Sequence, residues 1–414
     1  MSVVGANGRN DTIAVLDMGG SKVACFVARI NERREAKIIG VGYQLSKGIK
    51  GGIITDVEEA ETSILAAVHA AEQMAGANIE HVMVGVTLPE MRSRHIRVEL
   101  ALGNEPVSER DLADIMKEGR ESAVAGEFLL HCLPYSFNLD NHKGIEDPRG
   151  MLGDKLIADL LVVTAPLNLI RNLRACISRC HMEVAEFVAA PYASALACLE
   201  EDEKELGVTM IDIGGSTTGY AVFTAGKMVH MGSVPLGANH ITHDIALGLS
   251  TSIHNAERLK TMHGSAIISP ADDEVMIEVP QLGQADEEDG NAIPRSSLNH
   301  IIRPRLEEMF ELVRDRLDAS GLGKMAGSRV VITGGGSQMI GLSDMATKIL
   351  QKQVRVAKIR QIEGLGDAVS GPAFSAPLGM VNHALREDEK HRWMRERPSI
   401  FSWQQLMKFL KEIF

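Results

Sequence analysis

One pattern is written twice in this chain, and it limits the possible folds more than any other feature. Over residues 12–30 (TIAVLDMGGSKVACFVARI) an apolar run ends in Asp17, turns through Gly19, Gly20, Ser21 and Lys22, and resumes as a second apolar run. Over residues 208–223 (VTMIDIGGSTTGYAVF) the order returns: an apolar run ending in Asp212, the turn Gly214, Gly215, Ser216, Thr217, Thr218, then Tyr220-Ala221-Val222-Phe223. Two β-prone runs joined by a short Gly-rich turn read as a hairpin. Glycines let backbone N–H groups approach an anion, and hydroxyls add donors. An aspartate at the end of the leading strand does not bind phosphate directly, but it can hold a hydrated Mg²⁺ that bridges to one. One such turn fits a plain hairpin equally well. Two of them point to related halves.

A third glycine turn follows a short apolar run at 330–332: Thr333, Gly334, Gly335, Gly336 and Ser337, leading into a helix around 341–350. None of the three matches a Walker A or dinucleotide fingerprint. Between the first two turns, residues 57–77 carry Ile64, Val68, Ala71 and Met74 at helical spacing. Residues 81–88 read as a buried strand. Residues 89–167 differ in character, with no phosphate-type turn: a strand at 93–102, a helix opening at Ser108-Glu109-Arg110-Asp111, and strands at 128–135 and 156–164. They read as a compact α+β insertion. A helix at 168–181, a strand at 184–191, a helix at 192–200 and a charged, solvated turn at 200–205 lead to the second hairpin. After it come a strand at 226–234, helices at 238–249 and 253–262, a strand-like 272–280, a polar loop at 281–293, a long helix at 297–319 despite Pro304, and a last helix at 371–385. Residues 386–398 are charged and poor in apolar side chains, which predicts a flexible linker.

A chain of 414 residues suggests two to four domains. Its net charge of -12 argues against a nucleic-acid partner, because an acidic surface repels phosphates. Five cysteines without a CxxC pair read as free thiols in a reducing compartment. Cys176, Cys180 and His181 have no second metal-binding pair in view, so helix packing is the expectation for them. The first residues do not form a signal peptide, and no apolar stretch reaches the ~18–20 residues of a membrane span. The expected location is cytoplasmic, with any membrane contact at the surface.

That contact is written in the last fifteen positions, IFSWQQLMKFLKEIF. At helical spacing Ile400, Trp403, Leu406, Met407, Phe409, Leu410, Ile413 and Phe414 cover one half of the wheel, with Gln404, Gln405, Lys408, Lys411 and Glu412 on the other. At 1.5 Å per residue the helix is roughly 22 Å long, too short to span a bilayer. Lys390, Arg392, Arg395, Arg397, Lys408 and Lys411 face only Glu396 between 390 and 411, on an otherwise acidic chain. An aromatic face with local positive charge fits an interfacial helix on anionic lipid. Partial burial of five large side chains gives on the order of 5 kcal/mol, or about 10⁻⁴ M affinity. One copy would hold weakly, whereas a polymer presenting many tails would hold firmly.

The order strand–DxGG–strand, strand–DxGGS–strand, strand–TGGG–helix resembles the actin/Hsp70/sugar-kinase superfamily. Within it, several segments are similar to the FtsA family of bacterial cell-division proteins: Ser46-Lys47-Gly48 through Gly52, Gly144-Ile145-Glu146-Asp147-Pro148-Arg149-Gly150-Met151, Glu205-Leu206-Gly207-Val208 before Asp212, and Ile302-Arg303-Pro304-Arg305 before Glu307-Glu308. The resemblance covers nearly the whole chain. It implies an α/β, actin-like two-lobed ATPase fold with a small inserted α+β domain and a C-terminal amphipathic helix. The implied first lobe is 1–88 with 168–205 and 372–385, and the inserted domain is 89–167. The second lobe is 206–232 with 306–371, its subdomain 233–305, the linker 386–399 and the membrane helix 400–414.

The resemblance further implies ATP with Mg²⁺. Asp17 and Asp212 would act on the metal through water. Gly19, Gly20, Ser21, Lys22, Gly214, Gly215, Ser216, Thr217 and Thr218 would lie on the phosphates, and Gly334, Gly335, Gly336, Ser337, Glu257 and Lys260 around the nucleoside. No catalytic residue is identified. Gly20 stands where many members carry Thr, so Ser21 is expected to supply the missing hydroxyl. Implied partners are other copies in a filament, later division proteins through 89–167, and the partly acidic C-terminal peptide of FtsZ at 233–305, for which Arg295, Arg303 and Arg305 are candidates. The implied location is the cytoplasmic face of the inner membrane at the division site. Two other readings share the fold: a sugar or acid kinase, for which no carboxylate base stands out, and a scaffold of a pilus or secretion system, which leaves the tail unexplained.

Overall fold

The computed structural model describes residues 11–282, 291–322 and 327–395. β1 (Asp11–Met18) and β2 (Lys22–Ile30) form the first hairpin, in register so that Asp17 lies opposite Ala24. β3 (Ala36–Leu45) extends it. A small hairpin, β4 (Ile49–Lys50) and β5 (Ile53–Ile54), leads to α1 (Val57–Ala75). This helix is capped at both ends: the Asp56 side chain accepts the Glu59 amide, and Gly76 closes it at φ 65. Ala60, Ile64, Ala67, Val68 and Ala71 face the sheet, while Met74 is exposed. β6 (His81–Val86) then runs parallel to β1.

The chain leaves this sheet for β7 (Arg92–Ala101), α2 (Glu109–Glu121), β8 (Glu127–Leu139), β9 (His142–Ile145) and β10 (Lys155–Pro166). These strands make a separate antiparallel sheet in the order β7-β10-β8-β9. α2 opens on a capping box between Ser108 and Asp111. β9 has no counterpart in the sequence reading, because His142-Lys143-Gly144-Ile145 shows no alternation. Val98, Ile115, Leu139, Leu156 and Leu160 form a small core of the insertion's own, while Leu130, Leu161 and Val163 root it in the first lobe.

α3 (Leu167–Arg179) and β11 (Glu183–Ala189) return to the first sheet, followed by α4 (Ala190–Cys198) and α5 (Glu201–Leu206). Cys176 and Cys180 are buried free thiols on α3, and Cys180 Sγ donates to the Cys176 carbonyl at 3.5 Å. Residues 200–205 differ from the solvated turn expected there. They are helical from Glu201, and Glu203 and Lys204 are buried, because Arg355 pairs with Glu203 and Glu201 with Lys204.

The second half contains β12 (Val208–Ile213), β13 (Thr218–Thr224) and β14 (Lys227–Val234), then α6 (Ala238–Gly248), α7 (Ile253–His263), β15 (Met276–Val279) and β16 (Asn291–Pro294). The expected strand at 272–280 is partly corrected: residues 270–273 form a 3-10 turn before β15 begins. α8 (Arg295–Ala319), β17 (Arg329–Thr333), α9 (Leu342–Leu350), β18 (Gln353–Val356) and α10 (Ser375–Arg395) complete the described chain. The second sheet has the order β14-β13-β12-β17-β18 and the first β3-β2-β1-β6-β11. In both, an antiparallel meander is followed by two parallel strands. The duplication seen in two turns is therefore a duplication of whole sheets. α8 runs unbroken through residue 305, and its Leu298, Ile302, Leu306 and Phe310 share one core, so the subdomain at 233–305 is continuous with its lobe.

α4 and α10 lie between the lobes. Every residue of α4 is buried. α10 continues to Arg395, which corrects the flexible linker expected at 386–399 for its first ten residues. Charge alone does not make a segment flexible: 386–395 is rich in Glu, Lys and Arg, good helix formers. Residues 396–414 lie outside the described residues, and with them the expected membrane face of Trp403, Leu406, Met407, Leu410, Ile413 and Phe414. No helix among the described residues is long and apolar enough to cross a membrane.

The insertion also touches the second lobe. Ser93 Oγ accepts the Met231 amide at 3.1 Å and lies 2.8 Å from both the Met231 carbonyl and His230 Nδ1. Burial, with a smaller contribution from His95, pushes His230 down to about 4. A histidine held below its ordinary value stabilises only while neutral. Its contribution is full above pH ~6.5 and is lost as the pH falls from there towards 4, to a limit of about 3 kcal/mol. Hydrogen exchange in β14 is expected to rise between pH 7.5 and 5, and His230→Gln to flatten that dependence.

Candidate functional site

The three glycine turns converge on one cleft of about 490 Å³ between the lobes. Asp17 ends its strand on one wall and Asp212 on the other. Both carboxyls line the cleft and are only partly exposed. Burial raises Asp17 to about 7, opposed by Lys22 and reinforced by Asp212. Burial also raises Asp212 to about 6, opposed by a hydrogen bond from Ser194 and by Lys22. The Lys22 ammonium is pushed below its usual range by burial, against the pull of both carboxylates. Its Nζ donates to the Ala373 carbonyl and sits 3.6 Å from the centre of the Phe374 ring.

The first two turns meet tip to tip. A Cβ built on Gly20 would fall onto Ser216 Oγ, 2.6 Å from Ser216 Cβ, and one on Gly215 would lie 2.7 Å from Ser21 Cβ. The second turn closes on itself through Gly214 N to Thr217 O at 2.9 Å. Its carbonyls accept the Ala238 and Asn239 amides at the start of α6, a contact possible only because Gly237 lacks a side chain. Asn239 Nδ2 then donates across the cleft to the Gly20 carbonyl at 3.2 Å. In the third turn, Gly334 at φ 84 lets its amide reach the Pro372 carbonyl at 3.1 Å.

The structure brings fourteen of the seventeen cleft residues expected from sequence onto one lining. Ser216, Thr218 and Ser337 are outside it. Ser216 sits against Gly20; Thr218 lies inside β13 and its hydroxyl donates to Leu236 O at 2.8 Å; the Ser337 hydroxyl donates to Gly334 O at 2.7 Å. The Thr218 and Ser337 hydroxyls are taken up by carbonyls of the chain itself. Glu257 and Lys260 line the opposite end and bond each other at 2.6 Å, with Thr242 hydroxyl 2.5 Å from the glutamate and 2.8 Å from the lysine. Sequence reasoning missed Asn239, Ser194 and the Ala373-Phe374 pair. No motif marks them, since each reaches the site only through the packing of its helix.

The three candidate partner arginines are engaged within the chain. Arg295 holds the buried Asp272, which also accepts from Asn299. Arg305 bridges Asp244 and Glu308 at 2.7 and 2.6 Å. Arg303, half-exposed, pairs with Glu307 one turn along α8.

Two like sheets, two helices between them and a cleft of glycine turns at their carboxyl ends define an actin-like protein. Solved structures agree on the fold. A chain of the "PilM-PilN type IV pilus biogenesis complex" superposes at TM-score 0.64 with 14% identity, covering 90% of this chain and 98% of that one. MreB5 of Spiroplasma citri bound to ADP superposes at TM-score 0.53, also with 14% identity, covering 91% and 98%. Sequence is more specific. Residues 209–379 match the family described as cell division protein FtsA, and residues 89–164 match the SHS2 domain inserted in FtsA. Cell division protein FtsA of Rhizobium meliloti is 41% identical over 384 residues, 90% of this chain and 87% of that protein. Its counterpart in Pseudomonas aeruginosa is 32% identical over 391 residues, 94% and 93%. The chain belongs to the FtsA family of cell-division proteins.

Proposed function

We propose that this chain binds ATP with hydrated Mg²⁺ in the interlobe cleft, assembles into actin-like filaments on the inner face of the cytoplasmic membrane, and tethers the FtsZ ring there. The observation that carries this reading is the pair of part-buried carboxylates, Asp17 and Asp212, presented into one cleft from opposite lobes among three glycine turns. Desolvated carboxylates favour a counter-cation, and glycine turns offer backbone N–H groups to phosphate. Among the described residues no three His, Cys, Asp or Glu side chains come together as a metal cluster. A carboxylate pair instead suits Mg²⁺, which keeps most of its ligands as water and phosphate oxygens. Bound Mg²⁺ supplies charge neutralisation between the phosphates and the two aspartates. Gly19, Gly20, Ser21, Lys22, Gly214, Gly215 and Thr217 would hold the phosphates, and Gly334, Gly335, Gly336, Glu257 and Lys260 the nucleoside. MreB5, which shares the fold, is bound to ADP in its structure.

Tethering rests on residues 400–414 and self-assembly on the fold. Co-sedimentation with anionic liposomes, with and without MgATP and with 400–414 deleted, tests both. Full-length protein is expected to pellet with liposomes plus MgATP, and the deletion to stay in solution. Intact protein that remains monomeric and soluble with both ligands present would sink the proposal.

The acidic FtsZ peptide docks at 233–305, and later division proteins at 89–167. Arg303 is the readiest of the three arginines to exchange partners, because Glu307 is a half-exposed neighbour on its own helix. Arg303→Glu is expected to weaken peptide binding about fivefold with stability within about 0.5 kcal/mol. Arg295→Ala is expected to cost about 2 kcal/mol of stability, since it strips a cation from a buried carboxylate that keeps its other hydrogen bonds. Peptide titration by fluorescence anisotropy, beside urea denaturation, separates the two effects.

A further inference from the structure

Ser194 lies in the middle of α4, fully buried among Ala190, Ala193, Ala195, Leu196 and Cys198. A hydroxyl there is unfavourable unless it is hydrogen-bonded. A helical serine ordinarily gives its proton to the carbonyl one turn back. Ser194 gives it to Asp212 Oδ2 instead, at 2.5 Å across the lobe boundary. Ser375, the first residue of α10 and equally buried, donates its own proton to Ser194 Oγ at 3.2 Å. Each hydroxyl has one proton, so the chain has one direction: Ser375 to Ser194 to Asp212. It ends on a carboxylate whose other oxygen lies against Gly334 of the third turn.

We infer that Ser194, backed by Ser375, is a positioning residue for Asp212, fixing one carboxylate oxygen so that the other is presented to the cleft in a set direction. Both serines sit on the helices that join the lobes, and those helices pack without slack at Gly379 against Ala193. The aim of the carboxylate and the register of the two helices are thereby coupled. No glycine turn or acidic motif announces this role, and the serines themselves line different parts of the structure: Ser375 reaches the cleft wall, whereas Ser194 stands behind Asp212.

The inference rests on the reading that Asp212 serves a hydrated Mg²⁺ beside ATP. Isothermal titration of full-length protein with ATP, once in Mg²⁺ and once in EDTA, separates the two. In the wild type, Mg²⁺ is expected to tighten ATP binding. Ser194→Ala is expected to lose about tenfold of that Mg²⁺-dependent gain, the scale of one hydrogen bond to a charged group, while its affinity in EDTA stays within about twofold. Ser194→Cys, which restores a weak donor, is expected to recover part of the gain. Ser375→Ala is expected to lose about threefold, because the direct Ser194 bond remains. Equal losses with and without Mg²⁺ would mean a merely structural role and overturn the inference, as would an unchanged gain in Ser194→Ala or, should that variant not fold, in Ser375→Ala. A wild type whose ATP affinity ignores Mg²⁺ would overturn the metal reading itself and this inference with it.

Discussion

Gly379→Ala is expected to destabilise the protein by about 3 kcal/mol or more, at the upper end of overpacking substitutions. Gly379 lies on α10, and a Cβ there would drive into the backbone of Ala193 on α4, meeting its carbonyl group and lying 3.0 Å even from its Cα. All three atoms are backbone, so no side chain can swing away and the helices must part. Helix propensity works the other way, favouring alanine over glycine by about 1 kcal/mol. The steric term wins because the separation propagates along a helix pair whose α4 partner is wholly buried. Gly371→Ala is the control: nothing lies within 4 Å of its added Cβ, so it should stay within about 0.5 kcal/mol of wild type. Urea denaturation of both variants gives the comparison. Equal midpoints would show that the helices separate without cost.

Gly20→Thr is the second large effect, and here the structure reverses an expectation. Sequence comparison with the family presents Gly20 as a lost hydroxyl. The folded protein has no space for one, because the tip of the second turn occupies it: a Cβ at this position overlaps Ser216. Threonine would force the two phosphate-type turns apart. Overpacking of this kind costs about 1–3 kcal/mol. If the bound state needs the turns in contact, ATP affinity measured by titration is expected to fall by about 10- to 100-fold. Ser216→Gly on the same chain should restore most of it, since Ser216 Oγ and Cβ are the nearest atoms and only the backbone N, at 3.2 Å, would remain tight. The single variant binding as well as wild type would show that the turns part freely. Failure of the double variant to recover would move the cause elsewhere.

Much of the site is legible before folding, because it is local. Asp17, Gly19 and Ser21, and Asp212, Gly214 and Gly215, carry their chemistry within one hairpin each, so composition and spacing identify them. The inserted domain shows itself by the loss of that pattern over 89–167 and by the Ser108–Asp111 capping box. Errors fall where long-range partners decide. Thr218 and Ser337 have the right chemistry in the right turn, yet their hydroxyls face Leu236 and Gly334. Lys204 looks solvated in a run of acids and is buried. Arg295 looks available to a partner and holds Asp272. In each case a residue distant in sequence captures the group.

From the chain alone come the two related halves, the three glycine turns, the two aspartates at strand ends, the inserted domain and the family resemblance. Each rests on hydrophobic period, turn chemistry or local composition, which are properties of neighbours in sequence. Only the tertiary structure decides that the halves repeat a whole five-stranded sheet, that the two turns meet tip to tip at Gly20 and Ser216, and that Ser194 and Ser375 join Asp212 to both connecting helices. Those relations join residues as far apart as 20 and 216, or 194 and 375. Such pairs come within hydrogen-bond or van der Waals reach only when both cores have packed, and no local pattern encodes that distance.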